Sequence, residues 1–440
     1  MKAAEKFTAV TATAVIVANM IGTGVFTSLG FQLAEFRSGF LLLLLWAAGG
    51  LAALCGAMSY AELGAALPRS GGEYNFLTRI YHPAAGFVSG WVSSTIGFAA
   101  PTALAAMTFG AYGAASIGDG APAWTAKALA ASLVAVMMVI HASNRRNSGG
   151  TQLIFTILKV AVIVAFCVAG IALGGEGSNV RFALSGEDVS PLLSGSFAIA
   201  LIYVSYAYTG WNAATYLTGE VNDPQQSLPK ILFAGTAIVT TLYFALNYVF
   251  LNAAPMEAMV GKIEIGFIAA EHLFGEGAAR MTGVVLSLLL ISTVSAMTIA
   301  GPRVLHAIGE DFPALAWLGR KNAADVPARA IYFQSAMALV FILTSSFQSV
   351  LIFAGFAVAL NSFSAVVGLF VLRWRQPDLP RPYRVTAYPF APLIYLALTG
   401  WTLIYVLIDR PIEGMFALGV IAAGLTFYFA AARSAKPASK

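Results

Sequence analysis

Charged residues are scarce in this chain. Only 10% of its 440 residues are Asp, Glu, Lys or Arg, against about 25% in an average soluble domain, and 59% are hydrophobic. The two cysteines, Cys55 and Cys167, both lie in apolar segments, which argues against a disulfide framework. The four histidines are scattered without ligand spacing. We therefore expect a polytopic membrane protein with no disulfide, no metal site and no cofactor.

Apolar runs long enough to cross a bilayer, about 20 residues each, predict twelve transmembrane helices. The predicted fold class is an all-α integral membrane protein with one transmembrane domain over residues 1–440. Between spans 7 and 8, residues 253–277 are too polar to cross and are expected to form a short surface helix. The predicted spans cover residues 8–33, 40–66, 84–115, 124–142, 151–174, 194–218, 230–252, 278–302, 328–346, 349–372, 388–408 and 412–432.

The distribution of Lys and Arg predicts the orientation. With twelve spans both termini lie on one side, and 18 of the 25 basic residues fall there, while 6 fall on the other side and Lys159 lies within a span. Cytoplasmic loops carry such an excess, so both termini are expected in the cytoplasm, with the chain in the cell membrane (an inner membrane if the cell has two). The net charge of +5 then needs no nucleic-acid partner.

Two predicted spans are interrupted near their middle. The first reads MIGTGVF at residues 20–26, and the sixth reads SYAYTGWN at residues 205–212. Glycine costs roughly 1 kcal/mol against alanine in a helix, and non-helical backbone at membrane depth is tolerated where it lines a cavity. Paired glycine-interrupted segments at matching positions of two halves indicate a transporter binding site. The alternative is two independent packing glycines at helix crossings.

The spacing of the interruptions predicts an internal repeat. Spans 1 and 6 are five helices apart, so they occupy corresponding positions in two five-helix halves. Because five is odd, the halves have opposite orientations in the membrane. The predicted halves are residues 7–174 and 194–372, followed by spans 11 and 12 at residues 388–432.

A helix broken in its middle exposes N–H groups at one edge of the break and C=O groups at the other. The N–H edge favours an anion such as a carboxylate, and the carbonyls can accept from an ammonium. These two groups on adjacent atoms describe an α-amino acid. The candidate donors are the N–H groups of Gly22, Thr23 and Gly24, and the candidate acceptors are the carbonyls of Asn19, Met20, Ile21, Tyr206, Ala207 and Thr209.

Four sets of motifs carry a family resemblance. They are IGTGVF at 21–26; YAELG at 60–64 with PRSGGEY at 68–74; YTGWN at 208–212 with GEVNDP at 219–224 and LP at 228–229; and GPR at 301–303 with RPYR at 381–384. With these motifs in this order, the chain resembles the amino acid–polyamine–organocation superfamily of LeuT-type fold, most of all its L-type amino acid transporter branch. The resemblance implies transport by alternating access. It also implies that the first break binds the substrate carboxylate and the sixth span the amine.

Lys159 is the single charged residue deep in a predicted span. An intramembrane charge is a functional hypothesis by default, although a lysine near a helix end can also snorkel toward the surface. In several sodium-independent members of this fold, a lysine of span 5 stands where others hold sodium between spans 1, 5 and 8. Lys159 matches that lysine, with Ser292, Thr293 and Ser295 as expected neighbours. The resemblance thus implies sodium-independent transport, either proton-coupled or by exchange.

The sequence limits the charge of the substrate side chain, because no acidic residue is expected near the middle of any span. A cationic side chain would need a counter-charge there, so an uncharged one is favoured. Tyr206 stands where the family often has an aromatic gate, with a buried interhelical hydrogen bond as the alternative, and Trp211 is expected to pack. The expected partners are the amino acid, the lipid bilayer and, if transport is proton-coupled, protons.

Other functions fit the sequence less well. A proton-coupled carrier of another small organic amine and a non-transporting amino acid sensor remain alternatives. An enzyme would need a nucleophile–base pair or a metal cluster, and the sequence shows neither pattern. The short predicted loops offer no clear site for an obligate partner subunit.

Overall fold

A computed structural model describes residues 8–434 except 119, 144–148, 175–179, 313, 314 and 325. The regular structure is almost entirely helical. The α-helices are α1 (Ala9–Met20), α2 (Gly24–Gln32), α3 (Gly39–Ala66), α4 (Gly72–Ile80), α5 (Pro83–Val92), α6 (Ala99–Ile117), α7 (Thr125–Ser143), α8 (Gly149–Leu173), α9 (Val189–Leu192), α10 (Gly195–Ala207), α11 (Pro224–Ala253), α12 (Met256–Met259), α13 (Ile265–Phe274), α14 (Glu276–Asp311), α15 (Ala328–Thr344), α16 (Phe347–Arg375), α17 (Phe390–Asp409) and α18 (Pro411–Ser434). The structure also contains two 3₁₀ segments, Gly186–Asp188 and Ala213–Glu220, and one π-helical turn, Ser93–Gly97, between α5 and α6.

Within the described residues, ten helical stretches are long and apolar enough to cross a membrane. They correspond to ten of the twelve predicted spans, with α1 and α2 together forming the first and α5 and α6 the third. An eleventh is obtained if the pair Gly186–Leu192 and Gly195–Ala207, bent by 74°, is one span. The predicted ninth span is α15, whose 17 residues fall short of the about 20 needed to cross a bilayer without adjustment. The protein is therefore an all-helical membrane protein, with ten or eleven candidate spans in the part of the chain that the structure describes.

Three of the long helices begin at a serine cap. The side-chain oxygens of Ser38, Ser194 and Ser346 each accept a hydrogen bond from the backbone N–H three residues further on, at 3.4, 3.2 and 3.1 Å. Such a cap satisfies one of the N–H groups that a helix start leaves without a partner, so α3, α10 and α16 start at positions that the local sequence specifies.

A buried ion pair joins the C-terminal ends of α3 and α16. The Glu62 side chain is fully buried and accepts from Nε of Arg373 at 2.8 Å and from Nη2 at 2.5 Å. The backbone N–H of Val385 donates to the same carboxylate at 2.7 Å, and the Arg373 guanidinium also lies 3.6 Å from the ring centroid of Tyr388. Bidentate pairing of this kind fixes geometry as well as charge. The loop after α16 is thereby held against the end of α3.

Candidate functional site

The first interruption lies where the sequence predicted it. Helix α1 ends at Met20 and α2 begins at Gly24. Between them the chain makes a tight turn in which the Gly22 N–H donates to the Met20 carbonyl at 2.8 Å. At the start of α2 the Phe26 N–H donates to the Thr23 carbonyl at 3.0 Å, while the N–H groups of Thr23 and Gly24 make no hydrogen bond to a described residue. A short polar-lined break therefore replaces about one helical turn in the middle of the first span.

The second interruption follows α10, which ends at Ala207. Gly210 adopts φ +99°, a left-handed conformation that glycine enters without steric cost. The chain then continues as the 3₁₀ turns that start at Ala213. The glycine that the sequence analysis noted in the sixth span is thus the residue at which the chain leaves the helical path.

The two breaks contact each other through their glycines. A Cβ atom on Gly24 would lie 2.5 Å from the Cα of Ala207, and a Cβ atom on Gly210 would lie 2.8 Å from the carbonyl carbon of Asn19. Real Cβ atoms are essentially never this close to another backbone. Each glycine therefore lets its own break approach the backbone of the other, which brings the exposed N–H and C=O groups of both to one place.

A cavity of about 500 Å³ opens at this contact, within the range of small-molecule sites, roughly 300–1,000 Å³. It continues along one face of α1 past Thr11, Ala14 and Ala18, toward the N-terminal end of that helix. Every residue that the sequence assigned to substrate binding lines it: Met20, Ile21, Gly22, Thr23, Gly24, Tyr206, Ala207 and Thr209.

Hydrogen bonds within the protein already occupy some of the groups expected to bind substrate. The Gly22 N–H donates to the Met20 carbonyl, and that carbonyl also accepts from the Tyr243 hydroxyl at 2.5 Å. The Tyr206 carbonyl accepts from both the N–H and the hydroxyl of Thr209, at 3.0 and 2.7 Å. Among the described residues no hydrogen bond engages the N–H groups of Thr23 and Gly24, so they remain placed to meet a ligand. The same holds for four of the candidate carbonyls, those of Asn19, Ile21, Ala207 and Thr209.

Tyr243 is a residue of the site that the sequence analysis did not single out. It lies on α11, is fully buried outside the cavity lining, and its hydroxyl donates to the last carbonyl of α1. The sequence signal was weak, because a single tyrosine in an apolar span is usually a packing residue.

Lys159 lies in the cavity wall. Its side chain is 6% exposed, and its Nζ donates to Oγ1 of Thr293 on α14 at 2.7 Å. The other two expected neighbours have different partners: Ser292 donates to the Leu289 carbonyl of its own helix, and Ser295 pairs with His141 at 2.9 Å. The ammonium is therefore held inside the protein between α8 and α14, and it does not snorkel to the surface.

The two aromatic residues of the second break lie in different environments. Tyr206 lines the cavity, is 6% exposed, and its hydroxyl makes no hydrogen bond to another described residue. Trp211 faces away and packs edge-on against Tyr60 at 4.7 Å between ring centroids and against Tyr395 at 6.1 Å. The expectation that Trp211 packs agrees with this arrangement.

Glu73 is an acidic residue in the cavity wall that was not predicted from the sequence. It lies in α4, outside the predicted spans, yet it is 2% exposed and lines the cavity. Its carboxylate accepts from the Tyr60 hydroxyl at 2.9 Å, from Asn212 Nδ2 at 2.5 Å and from the Tyr216 hydroxyl. The signal that could have found it is the pattern of α4, where Phe76, Leu77 and Ile80 are also buried and so turn one face of this short helix inward.

The opposite side of the break is closed. The carbonyl of Phe26 accepts from the Tyr112 hydroxyl at 3.1 Å, and the Gly261 N–H donates to the Gly30 carbonyl at 2.8 Å. Further along, the ring of Phe31 stacks on that of Phe347 at 5.7 Å. The cavity is thus open toward the N-terminal end of α1 and sealed beyond α2.

Fold and site together define a multi-pass helical membrane protein of the transporter class. A model of the amino acid permease family matches residues 7–431, so the chain belongs to that family and is an amino acid transporter. This confirms the resemblance inferred from the motifs and the expectation that the protein is not an enzyme.

Several characterised proteins are similar over nearly the full length. The chain is 29% identical to the mouse large neutral amino acids transporter small subunit 2 over 430 residues, covering 96% of this chain and 80% of the relative. It is 27% identical to the mouse b(0,+)-type amino acid transporter 1 over 426 residues, covering 94% and 85%. It is 28% identical to the serine/threonine exchanger SteT of Bacillus subtilis over 418 residues, covering 94% of each chain.

Proposed function

We propose that the protein carries an α-amino acid with an uncharged side chain across the membrane by alternating access, independently of sodium. The observation that carries this proposal is the contact of the two breaks around Gly24 and Ala207. It gathers the N–H groups of Thr23 and Gly24, which make no hydrogen bond to a described residue, and the carbonyl of Ala207 at one cavity. Helix N-terminal N–H groups stabilise a carboxylate, while a carbonyl accepts from an ammonium.

The proposed architecture is twelve spans, built from two inverted five-helix repeats at residues 7–174 and 194–372 and two further helices at 388–432. The two breaks at equivalent positions support it, since inverted repeats place discontinuous helices as a pair. The excess of basic residues supports cytoplasmic termini in the cell membrane. In that orientation the cavity described above faces the cytoplasm.

Lys159 is the proposed substitute for a sodium ion. A buried ammonium held by Thr293 at 2.7 Å supplies a fixed positive charge beside the first break, where the resemblance places sodium in coupled relatives. With the charge built into the chain, transport needs no sodium. Of the two remaining modes, exchange is supported by the Bacillus relative, which is named as a serine/threonine exchanger.

An uncharged substrate side chain is supported by two relatives, one named as a transporter of large neutral amino acids and one as an exchanger of serine and threonine. The buried Glu73 does not contradict it. Three of the roughly four lone-pair directions of its carboxylate are taken by donors of the protein.

Reconstitution of the purified chain alone tests the proposal. Proteoliposomes loaded with one unlabelled amino acid should take up a labelled neutral amino acid from outside, with the same rate in sodium and in potassium. Empty proteoliposomes and a pH gradient separate exchange from proton-coupled uptake. A strict need for sodium would overturn the role of Lys159, and transport of amines but of no amino acid would overturn the substrate class. Activity that appears only after adding a second subunit would contradict the expectation, drawn from the short predicted loops, that the chain has no obligate partner subunit.

A further inference from the structure

Glu73 is a buried carboxylate in the cavity wall. It has no Lys, Arg or His within ion-pair distance among the residues that the structure describes. Carboxylates are almost never fully buried unless they are paired. Here the partners are neutral: the hydroxyls of Tyr60 and Tyr216 and the amide of Asn212.

The backbone around Glu73 helps to hold the charge. The residue lies in the first turn of α4, where the helix dipole favours an anion. Gly72 just before it has φ +50°, and a Cβ atom there would lie 2.9 Å from the ring of Tyr216. The start of α4 therefore packs directly on Tyr216, and the carboxylate reaches its donors without a cation nearby.

The three donors belong to different parts of the site. Tyr60 is fully buried on α3 and packs against Trp211. Asn212 and Tyr216 follow the second break, with Tyr216 in the 3₁₀ turns Ala213–Glu220, and both line the cavity. One carboxylate thus ties the cavity-lining segment that follows the second break to two helices that lie behind it.

We propose that Glu73 is a positioning residue for transport: by accepting from Asn212 and Tyr216 it fixes the cavity wall beside the second break, so that substrate affinity depends on it. This inference rests on the proposed function. The three hydrogen bonds to Glu73 require a carboxylate on a side chain of this length. A glutamine offers one acceptor oxygen and presents an NH₂ group to the remaining donors, while an aspartate is one methylene too short to reach all three.

The variants Glu73→Gln, Glu73→Asp and Tyr216→Phe test the assignment in the proteoliposome assay, with KM, maximal rate and thermal stability measured for each. Loss of a charge-assisted hydrogen bond predicts a KM about tenfold higher for Glu73→Gln and Glu73→Asp. Tyr216→Phe removes one neutral donor and leaves the charge, so its KM should rise about threefold. In the double variant Glu73→Gln/Tyr216→Phe, the effects should be less than multiplicative, because both remove the same contact.

Glu62→Gln is the matched control, because Glu62 is also a buried carboxylate but does not line the cavity. It should lower thermal stability and leave KM unchanged.

A wild-type KM in Glu73→Gln, with normal transport by the unmodified protein, would overturn the Glu73 assignment and leave the proposed function standing. A wild-type KM in Glu73→Asp would do the same. Selective loss of lysine or arginine transport in Glu73→Gln would replace it with a counter-charge role. No amino acid transport by the unmodified protein would overturn the proposed function itself, and this inference with it. If Glu73→Gln does not fold, an unchanged KM in Tyr216→Phe would overturn the positioning role of Glu73.

Discussion

Gly24 and Ala207 lie so close that a Cβ atom on Gly24 would be 2.5 Å from the Cα of Ala207. They are far apart in the sequence and each stands at the edge of a helix break. The contact is between backbones, so a side chain on Gly24 cannot be accommodated by turning a rotamer. The closeness of the two interrupted helices is therefore a property of the main chain.

Gly24→Ala should abolish transport or reduce it severely. Overpacking a tight contact costs typically 1–3 kcal/mol, and here the strain falls on the wall of the cavity. Uptake by proteoliposomes and thermal stability in detergent measure the two effects. Gly22→Ala is the matched control, since its added Cβ would meet only the Met20 carbonyl oxygen, at 3.9 Å. Equal loss of transport in both variants would show that the first break needs the backbone flexibility of glycine, and would contradict the role of the close contact between Gly24 and Ala207.

Tyr243→Phe should weaken substrate binding by about three- to tenfold, the effect of one neutral hydrogen bond. The variant leaves the Met20 carbonyl with the Gly22 N–H as its donor and removes its hydrogen bond to α11, so the edge of the break loses its anchor to that helix. A substrate-induced shift in melting temperature, titrated against amino acid concentration, measures the change. Tyr208→Phe removes an equally buried hydroxyl that donates to the Trp46 carbonyl at 3.1 Å, away from the cavity lining. Identical behaviour of the two variants would refute the role of Tyr243 at the break.

Lys159→Met should reduce sodium-independent transport by at least roughly tenfold, the effect of losing a charged hydrogen-bonded group. The variant keeps an unbranched side chain and removes the ammonium. Its stability should be retained or increased, because burial of a charge is costly. Thr293→Val, which removes the partner of Lys159 and keeps the shape, should give a smaller loss of rate. Wild-type transport by Lys159→Met in sodium-free buffer would contradict the proposal.

Arg373→Met should destabilise the protein by about 1.5–3 kcal/mol, because it removes the bidentate partner of the fully buried Glu62 while Arg381 Nε stays 3.5 Å from the same carboxylate. The melting temperature in detergent should fall accordingly. Arg375→Met is the comparison variant: Arg375 donates to the Ile80 carbonyl at 3.1 Å, so its loss should cost much less. Addition of Glu62→Gln to Arg373→Met should recover part of the stability, and no recovery would show that packing of Arg373 on Tyr388 carries the effect.

Local sequence predicted the helical segments well. Ten of the twelve expected spans have full-length counterparts among the described residues, because hydrophobicity over about 20 residues is a local property. The breaks at residues 20–26 and 205–212 were also predictable, since glycine and polar residues in an apolar span have a direct backbone cost. The bend of the sixth span and the short α15 were not, as they depend on packing against neighbouring helices.

The site could be predicted only in part. All eight residues assigned to the substrate line the cavity, yet the sequence could not say which of their backbone groups are free. The Gly22 N–H and the Met20 carbonyl are occupied by partners inside the protein. Of the three expected neighbours of Lys159, Thr293 alone forms a hydrogen bond with it, because the rotation of α14 about its axis decides which side chains face α8.

By itself the sequence determined that this is a membrane protein, where its spans are broken and to which family it belongs, because these follow from composition, local backbone cost and motif order. Only the tertiary structure decided that α4 turns inward and buries Glu73 beside the cavity, and that Gly24 lies against Ala207. The physical reason is that these contacts join residues distant in the chain. They form when whole helices pack against each other, and the local sequence around each residue does not determine which distant segment it will contact.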